Sequence, residues 1–335
     1  MRARPAEPPI GCARAGYRHT AHPLVIRCDR SPATGPSLGA GNFSLVVSEP
    51  HAAHLMSQIG CWHRPCISAE VKEMKIERRQ IDGVFVEHAK PEGRPEGPPV
   101  VFVHGGSHGS WLWEQWLPHF AAAGRHSYSF SWYNHTNSEA LPQEEFVRRS
   151  MLDVTRELRT VAAHIGEAPV FVAHSMGAAA VQKYAEDFPV EAQVLLAPVP
   201  CSQSAGEAIP LPIDMSKPFP PMPYEMAVEW FFAGCSDEDS RRYYDLMPDE
   251  SPRAVWEAAQ RGAAIELDRE RIDAPALMIA GGRDIVSPAE LVSRHAAHFG
   301  ADYLYLADRS HSLVLEPSWK EVADHVLSWL ARAGR

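Results

Sequence analysis

Short apolar runs alternate with longer amphipathic stretches over most of the chain beyond residue 74. Val100–Val103 and Pro169–Ala173 consist only of apolar residues, which is typical of parallel strands that are buried on both faces. The stretches between such runs have the length of helices, and Glu144–Ile165 is predicted as one long amphipathic helix. This alternation predicts an α/β fold, in which helices flank both faces of a mostly parallel sheet.

The N-terminal part of the chain differs from the rest. Residues 1–73 are rich in Pro, Gly, Ala, Ser and Arg and show no period of 2 or 3.6, so we predict a disordered extension there. The ordered part is expected to begin near Met74. Lys75–Ile81 and Val84–His88 flank the pair Asp82-Gly83, which predicts a β-hairpin with a type I′ turn.

The alternation of strands and helices is interrupted after Pro198. Residues 209–223 include six prolines, and two or three short helices are predicted between them and Gly262. Strands and helices resume with Ala276–Ala280. We therefore predict an α/β core formed by residues 74–198 and 263–335, with residues 199–262 inserted as a helical cap over an active site.

A serine lies at the expected junction of a strand and a helix. In Ala173-His174-Ser175-Met176-Gly177 the serine follows an apolar run and precedes a helical pattern, the context of a G-x-S-x-G nucleophile turn. A nucleophile on so sharp a turn needs small residues two positions away on either side, and alanine and glycine stand there. Ser175 is therefore the candidate nucleophile, and a buried structural serine is the alternative.

A second motif follows the apolar run Val100–Val103. The loop after this strand starts with His104-Gly105-Gly106, and such a loop supplies one N–H donor of an oxyanion hole in folds of this kind. The helix that begins after Ser175 supplies the other donor. We assign the oxyanion hole to the backbone N–H groups of Gly106 and Met176, with Ser107 as the alternative to Gly106.

An activated serine needs a base, and the base needs a carboxylate that fixes its tautomer. Asp284 ends a predicted strand at the sheet edge where ligand-facing residues collect, and His311 lies in the loop after the strand Asp302–Leu306. We predict His311 as the base and Asp284 as the acid. Asp308, in the same loop as His311, and Asp214, after the strand Ala192–Ala197, are the alternative acids.

The loop that starts at His104 also carries a resemblance. Residues 104–113 read H-G-G-S-H-G-S-W-L-W, which resembles the H-G-x-x-H-G-x-W-x-W loop of the methylesterase and hydroxynitrile-lyase branch of the α/β-hydrolase superfamily. The resemblance extends from about Met74 to the C-terminus. It implies a cofactor-free Ser-His-Asp site, which corresponds to Ser175, His311 and Asp284. Residues 132–137 depart from the D-x-x-G-x-G turn of many relatives.

These residues favour hydrolysis of a carboxylic ester or a lactone through an acyl-enzyme. The many aromatic residues of the predicted cap favour small to medium, lipophilic or aromatic substrates without charge. Hydroxynitrile lyase chemistry is the alternative enzyme function, but it needs a cationic group in the cap, where Lys217 is the only lysine. A ligand-binding protein on a hydrolase fold is the alternative from another class.

Composition limits the partners and the location of the protein. The net charge is −10, and no segment concentrates Lys and Arg, so no nucleic-acid partner is expected. No apolar run is long enough to cross a membrane. The six cysteines form no C-x-x-C pair, so we predict free thiols in the cytoplasm and no metal site. The absence of other cofactors is what the resemblance implies. No pattern in the sequence specifies an oligomeric state.

Overall fold

Nine strands form one sheet in the part of the chain that the computed structural model describes, residues 24–26 and 75–335. The predicted disorder of residues 1–73 lies outside the described residues, apart from the first strand. The strands are β1 (Leu24–Ile26), β2 (Ile76–Ile81), β3 (Val84–Ala89), β4 (Val100–Val103), β5 (Ser127–Phe130), β6 (Val170–His174), β7 (Ala192–Leu196), β8 (Ala276–Gly281) and β9 (Asp302–Leu306).

The centre of the sheet is parallel and its edges are antiparallel. The strand order is β1-β9-β8-β7-β6-β4-β5-β3-β2. All pairs from β5 to β9 are parallel, while β1, β2 and β3 pair antiparallel to their neighbours. The chain leaves β4 toward β5 and returns on the other side of β4 as β6. Ligands bind in α/β sheets at the carboxyl ends of strands where the order reverses in this way.

Helices cover both faces of the sheet, so the predicted fold class is confirmed. Alternate residues of one strand point to opposite faces: Val101 and Val103 belong to the core on one side of the sheet, and Val100 and Phe102 to the core on the other side. No helix among the described residues is long and apolar enough to cross a membrane. The helices are α1 (Trp116–Ala122), α2 (Gln143–Phe146), α3 (Thr155–Ile165), α4 (Met176–Ala185), α5 (Tyr224–Trp230), α6 (Asp237–Tyr244), α7 (Pro252–Ala259), α8 (Ala289–Phe299) and α9 (Trp319–Arg332).

The structure contains the predicted hairpin but not the predicted long helix. β2 and β3 pair around Asp82 and Gly83, whose φ angles of 47° and 79° are those of a type I′ turn. The single helix over Glu144–Ile165 is wrong, because the chain forms α2, a 3₁₀ turn and α3 instead. The break lies at Ser150, whose side chain and that of Asp153 form a reciprocal capping box that starts a new helical segment.

Residues 199–262, which we call the cap segment, connect β7 to the returning strands. A 3₁₀ turn (Ser202–Ser204) and a proline-rich stretch come first, and α5, α6 and α7 follow. α6 and α7 begin at Ser236 and Ser251, and each serine side chain accepts a hydrogen bond from a backbone N–H of its own first turn. The cap segment therefore contains three short α-helices, each of two turns or slightly more.

Candidate active site

Ser175 lies on a strained turn between β6 and α4. Its φ and ψ angles are 53° and −120°, a backbone conformation that is rare for a residue with a side chain and that collects at functional sites. Two neighbouring glycines make this turn possible. A Cβ atom at Gly177 would lie 2.3 Å from the carbonyl oxygen of His104, and a Cβ atom at Gly105 would lie 2.8 Å from Cβ of Ser175. The site therefore has the close approach that small residues were predicted to allow.

Ser175, His311 and Asp284 form one chain of hydrogen bonds. His311 Nε2 lies 3.0 Å from Ser175 Oγ, and His311 Nδ1 lies 2.9 Å from Asp284 Oδ2. All three residues are buried. With a proton on Nδ1 that donates to the carboxylate, the imidazole presents the lone pair of Nε2 to the serine hydroxyl. The arrangement can deprotonate Ser175 as its oxygen attacks an electrophile.

Asp284 is fixed independently of His311. Its second carboxylate oxygen, Oδ1, accepts the backbone N–H groups of Val286 and Ser287, each at 2.8 Å. The two alternative acids do not contact the histidine. Asp308 is exposed to solvent, and Asp214 is exposed and binds Ser216 and Lys217. Of the three candidate carboxylates, the structure therefore brings only Asp284 to His311.

The backbone N–H groups of Gly106 and Met176, the two predicted oxyanion donors beside Ser175, have no acceptor among residues 75–335. Met176 is the first residue of α4, where N–H groups have no partner within the helix. The alternative donor, Ser107, is occupied, because its N–H group donates to Glu250 Oε2 at 2.8 Å. Gly106 and Met176 are therefore the N–H groups available to a developing oxyanion.

Two buried histidines support the site without touching its polar atoms. His104 accepts the N–H group of Trp132 on Nε2 and donates from Nδ1 to the carbonyl of Gly105. His174 donates from Nε2 to the backbone carbonyl of His311 at 3.0 Å. Burial holds the pKa of both imidazoles well below the ordinary value, so both are neutral. They shape the backbone on either side of Ser175 and His311.

A cavity opens between Ser175 and the cap segment. It is partly open to solvent, and among the described residues Arg261 is the only lysine or arginine in its lining. Within the described residues, no three His, Cys, Asp or Glu side chains cluster as metal ligands. The apolar lining residues are Met176, Val199, Pro200, Ile209, Leu211, Phe219, Met222, Trp230, Phe231, Met247, Val255, Ala258, Ala259 and Val286.

Three polar residues of this region were not predicted from the sequence. Glu250 of the cap segment is buried beside Ser107, His135 is buried against Glu250, and His108 lies in the cavity wall. His108 was visible in the H-G-x-x-H-G motif, which marks it as part of the loop. Nothing local in the sequence distinguishes Glu250 or His135, because their contacts form only when the cap segment folds onto the core.

Comparisons with known proteins agree with this architecture. A sequence model of the alpha/beta hydrolase family matches residues 100–325. No curated protein matches the sequence. Among solved structures, an esterase from Thermogutta terrifontis is 16% identical (77% of this chain, 100% of that chain, TM-score 0.55). An enol-lactonase from Burkholderia xenovorans is 15% identical (76% and 100%, TM-score 0.58). A putative aryl esterase from Burkholderia cenocepacia is 16% identical (77% and 99%, TM-score 0.59). At such identities these structures share the fold alone.

Proposed function

Because the chain belongs to the alpha/beta hydrolase family, we propose that it is a cofactor-independent serine hydrolase that cleaves a carboxylic ester or a lactone through an acyl-enzyme on Ser175. The observation that carries the proposal is the hydrogen-bonded chain from Ser175 through His311 to Asp284 at the base of an apolar cavity. The esterases and the lactonase of similar fold support the choice of an ester bond.

The proposed reaction has two halves. Ser175 Oγ attacks the substrate carbonyl as His311 Nε2 takes the hydroxyl proton, and the N–H groups of Gly106 and Met176 bind the resulting oxyanion. The imidazolium then gives its proton to the leaving alkoxide, and an alcohol departs. In the second half, water attacks the acyl-enzyme with His311 again as base, which releases the carboxylic acid and restores Ser175. Asp284 keeps the tautomer of His311 and stabilises its charged form.

Labelling with a fluorophosphonate tests the proposed nucleophile. We expect covalent modification at Ser175 and none in the Ser175→Ala variant, because the probe needs an activated serine. Ester turnover should fall by more than about a thousandfold in that variant, while its melting temperature stays within a few degrees. A binding protein without catalysis would remain unlabelled. Modification of another residue would also contradict the assignment.

The cavity favours neutral, lipophilic or aromatic substrates of small to medium size. Most of its lining residues are apolar, and each buried methylene contributes about 0.8 kcal/mol to binding. We expect p-nitrophenyl esters of apolar acids to have higher kcat/KM than carboxylate-bearing esters of the same size. Higher kcat/KM for the anionic esters would contradict this preference.

If the enzyme preferred anionic esters, one cation in the structure could explain that preference. Arg261 lies in the cavity wall, whereas Arg242 pairs with Glu114 and Arg241 lies over the ring of Tyr224, both outside the lining. An Arg261→Gln variant would then lose the anionic preference. Lys217, which hydroxynitrile lyase chemistry would require as a cation, pairs with Asp214 and does not line the cavity. Arg261 is the cation of the cap segment that lines the cavity, so hydroxynitrile lyase chemistry would have to use that residue instead.

A further inference from the structure

Glu250 is a buried carboxylate that joins the cap segment to the loop after β4. Only 2% of its surface is exposed. Oε2 accepts the backbone N–H group of Ser107 at 2.8 Å and faces Nε2 of His135 at 3.0 Å, and Oε1 accepts the N–H group of Ser251 at 2.8 Å. A carboxylate buried with this many donors is held in one orientation.

His135 is the side chain that faces the Glu250 carboxylate. Its Nδ1 lies 2.9 Å from the carbonyl oxygen of Tyr133, and its Nε2 faces the Glu250 carboxylate. Both neighbours are oxygen atoms that can accept a hydrogen bond from the ring. Burial alone would raise the pKa of Glu250, but the charge of His135 and the hydrogen bonds together hold it below its ordinary value.

The peptide unit between Gly106 and Ser107 is held at both of its polar ends. Its N–H end, on Ser107, donates to Glu250. Its carbonyl end, on Gly106, accepts Nδ1–H of His108 at 2.6 Å. Ser107 has a φ angle of 54°, which is unfavourable for a residue with a Cβ atom. The two hydrogen bonds therefore select a conformation that the loop would not favour by itself.

This clamp has a consequence for the preceding peptide unit, which carries the N–H group of Gly106. Because the Gly106–Ser107 unit cannot rotate without losing both bonds, the clamp restricts the backbone at Gly106, whose own N–H group has no acceptor among residues 75–335. We propose that Glu250 is a positioning residue for the oxyanion hole, through which the cap segment fixes the Gly106 donor. The inference rests on the proposed serine hydrolase function.

Glu250 is held where the cap segment is itself attached to the core. It immediately precedes Ser251, which caps α7 and whose hydroxyl donates to the carbonyl of Arg149 at 2.6 Å. Further along α7, Glu257 accepts Ser150 Oγ at 2.7 Å and the N–H group of Met151 at 3.0 Å. Glu257 does not contact the loop after β4. It therefore offers a matched control, a buried cap carboxylate that joins cap to core elsewhere.

The test compares Glu250→Gln with Glu257→Gln. A glutamine at 250 has only one acceptor oxygen for three donors, so the peptide clamp should loosen. Losing one oxyanion donor costs about 10²–10³ in kcat, and we expect a fall of about ten- to a hundredfold for Glu250→Gln with KM within about threefold. Its rate of fluorophosphonate labelling should fall in parallel. Glu257→Gln should keep both rates within about threefold, even if both variants melt earlier.

A second pair of variants changes the hydrogen bond at the carbonyl end of the same peptide unit. This pair tests the inference even if Glu250→Gln does not fold. His108→Leu removes the donor to the Gly106 carbonyl and should lower kcat and labelling, whereas His108→Asn can place an amide N–H there and should recover most of both. The inference would be overturned by equal kcat and labelling rates in His108→Leu and His108→Asn, or in Glu250→Gln and Glu257→Gln. In that case ester turnover by the wild-type protein would still support the proposed function. Wild-type protein that neither labels nor hydrolyses esters would overturn both.

Discussion

The role of Asp284 can be tested most sharply, because the sequence offered two other carboxylates as the acid that orients His311. Asp284 accepts two backbone N–H groups on one oxygen and faces His311 with the other. Asp284→Asn would present an amide N–H to His311 and favour the wrong tautomer, so kcat should fall by about 10⁴. Asp214→Asn and Asp308→Asn, both at exposed positions, should each cost less than about tenfold. A larger loss from either control would contradict the assignment of Asp284.

At the residue scale, sequence alone could predict those candidate site residues whose positions depend on the local geometry of the backbone. Ser175 and Gly177 could be found because a sharp strand-to-helix turn demands small neighbours, and the distance from Gly177 to His104 shows that demand. Gly106 and Ser107 could not be separated by sequence, since either N–H group could face the site. Their difference comes from Glu250, about 140 residues away along the chain, and no local pattern records such a contact.

At the element scale, the period of the hydrophobic residues predicted which segments are helical. It predicted less well where each helix begins and ends. The apolar face of residues 144–165 is continuous in sequence, but Ser150 and Asp153 start a new segment. Tertiary contacts favour the break as well, because Ser150 and Met151 donate to Glu257 of α7. The hairpin was predictable because Asp-Gly has few alternatives to a type I′ turn.

The helix α7 provides a prediction about substrate length. Ala258 lines the cavity, whereas Trp256 on the same helix is 42% exposed and outside it. Ala258→Phe adds a ring to the cavity, so kcat/KM for octanoate esters should fall at least tenfold relative to acetate esters, as several methylenes lose their burial. Trp256→Ala should leave the ratio of octanoate to acetate unchanged. If Ala258→Phe also leaves it unchanged, acyl chains do not bind along α7.

At the scale of the whole molecule, the site depends on the meeting of two separate parts of the chain. The sheet brings Ser175, Asp284 and His311 to the carboxyl ends of β6, β8 and β9, which the alternation of strands and helices predicts. The cap segment contributes the apolar wall and Glu250. Its presence was predictable from the interruption after Pro198, but its contacts were not, because they depend on how it packs on the core.

Buried neutral histidines make the whole fold sensitive to acid. Burial lowers the pKa of His108 to about 4 and of His295 to about 3, and it holds those of His104 and His174 well below the ordinary value. In the unfolded chain these groups bind protons below a pH of about 6.5, whereas in the native chain they stay neutral. The unfolded state therefore binds more protons as the pH falls from about 6.5 toward 4, and native stability decreases over that range.

The size of this acid effect can be measured one histidine at a time. Each such histidine should cost about 2 kcal/mol of unfolding free energy at pH 5 relative to pH 7.5, so the four together rival the total stability of an ordinary domain.

His295, which contacts Ser204 and Gln182 at 2.8 Å each, lies away from Ser175. In urea unfolding, His295→Gln should be less stable than wild type at pH 7.5, yet lose about 2 kcal/mol less between pH 7.5 and pH 5. The exposed His164→Gln control should keep the wild-type difference. An unchanged difference in His295→Gln would mean that this imidazole is protonated in the native state at pH 5.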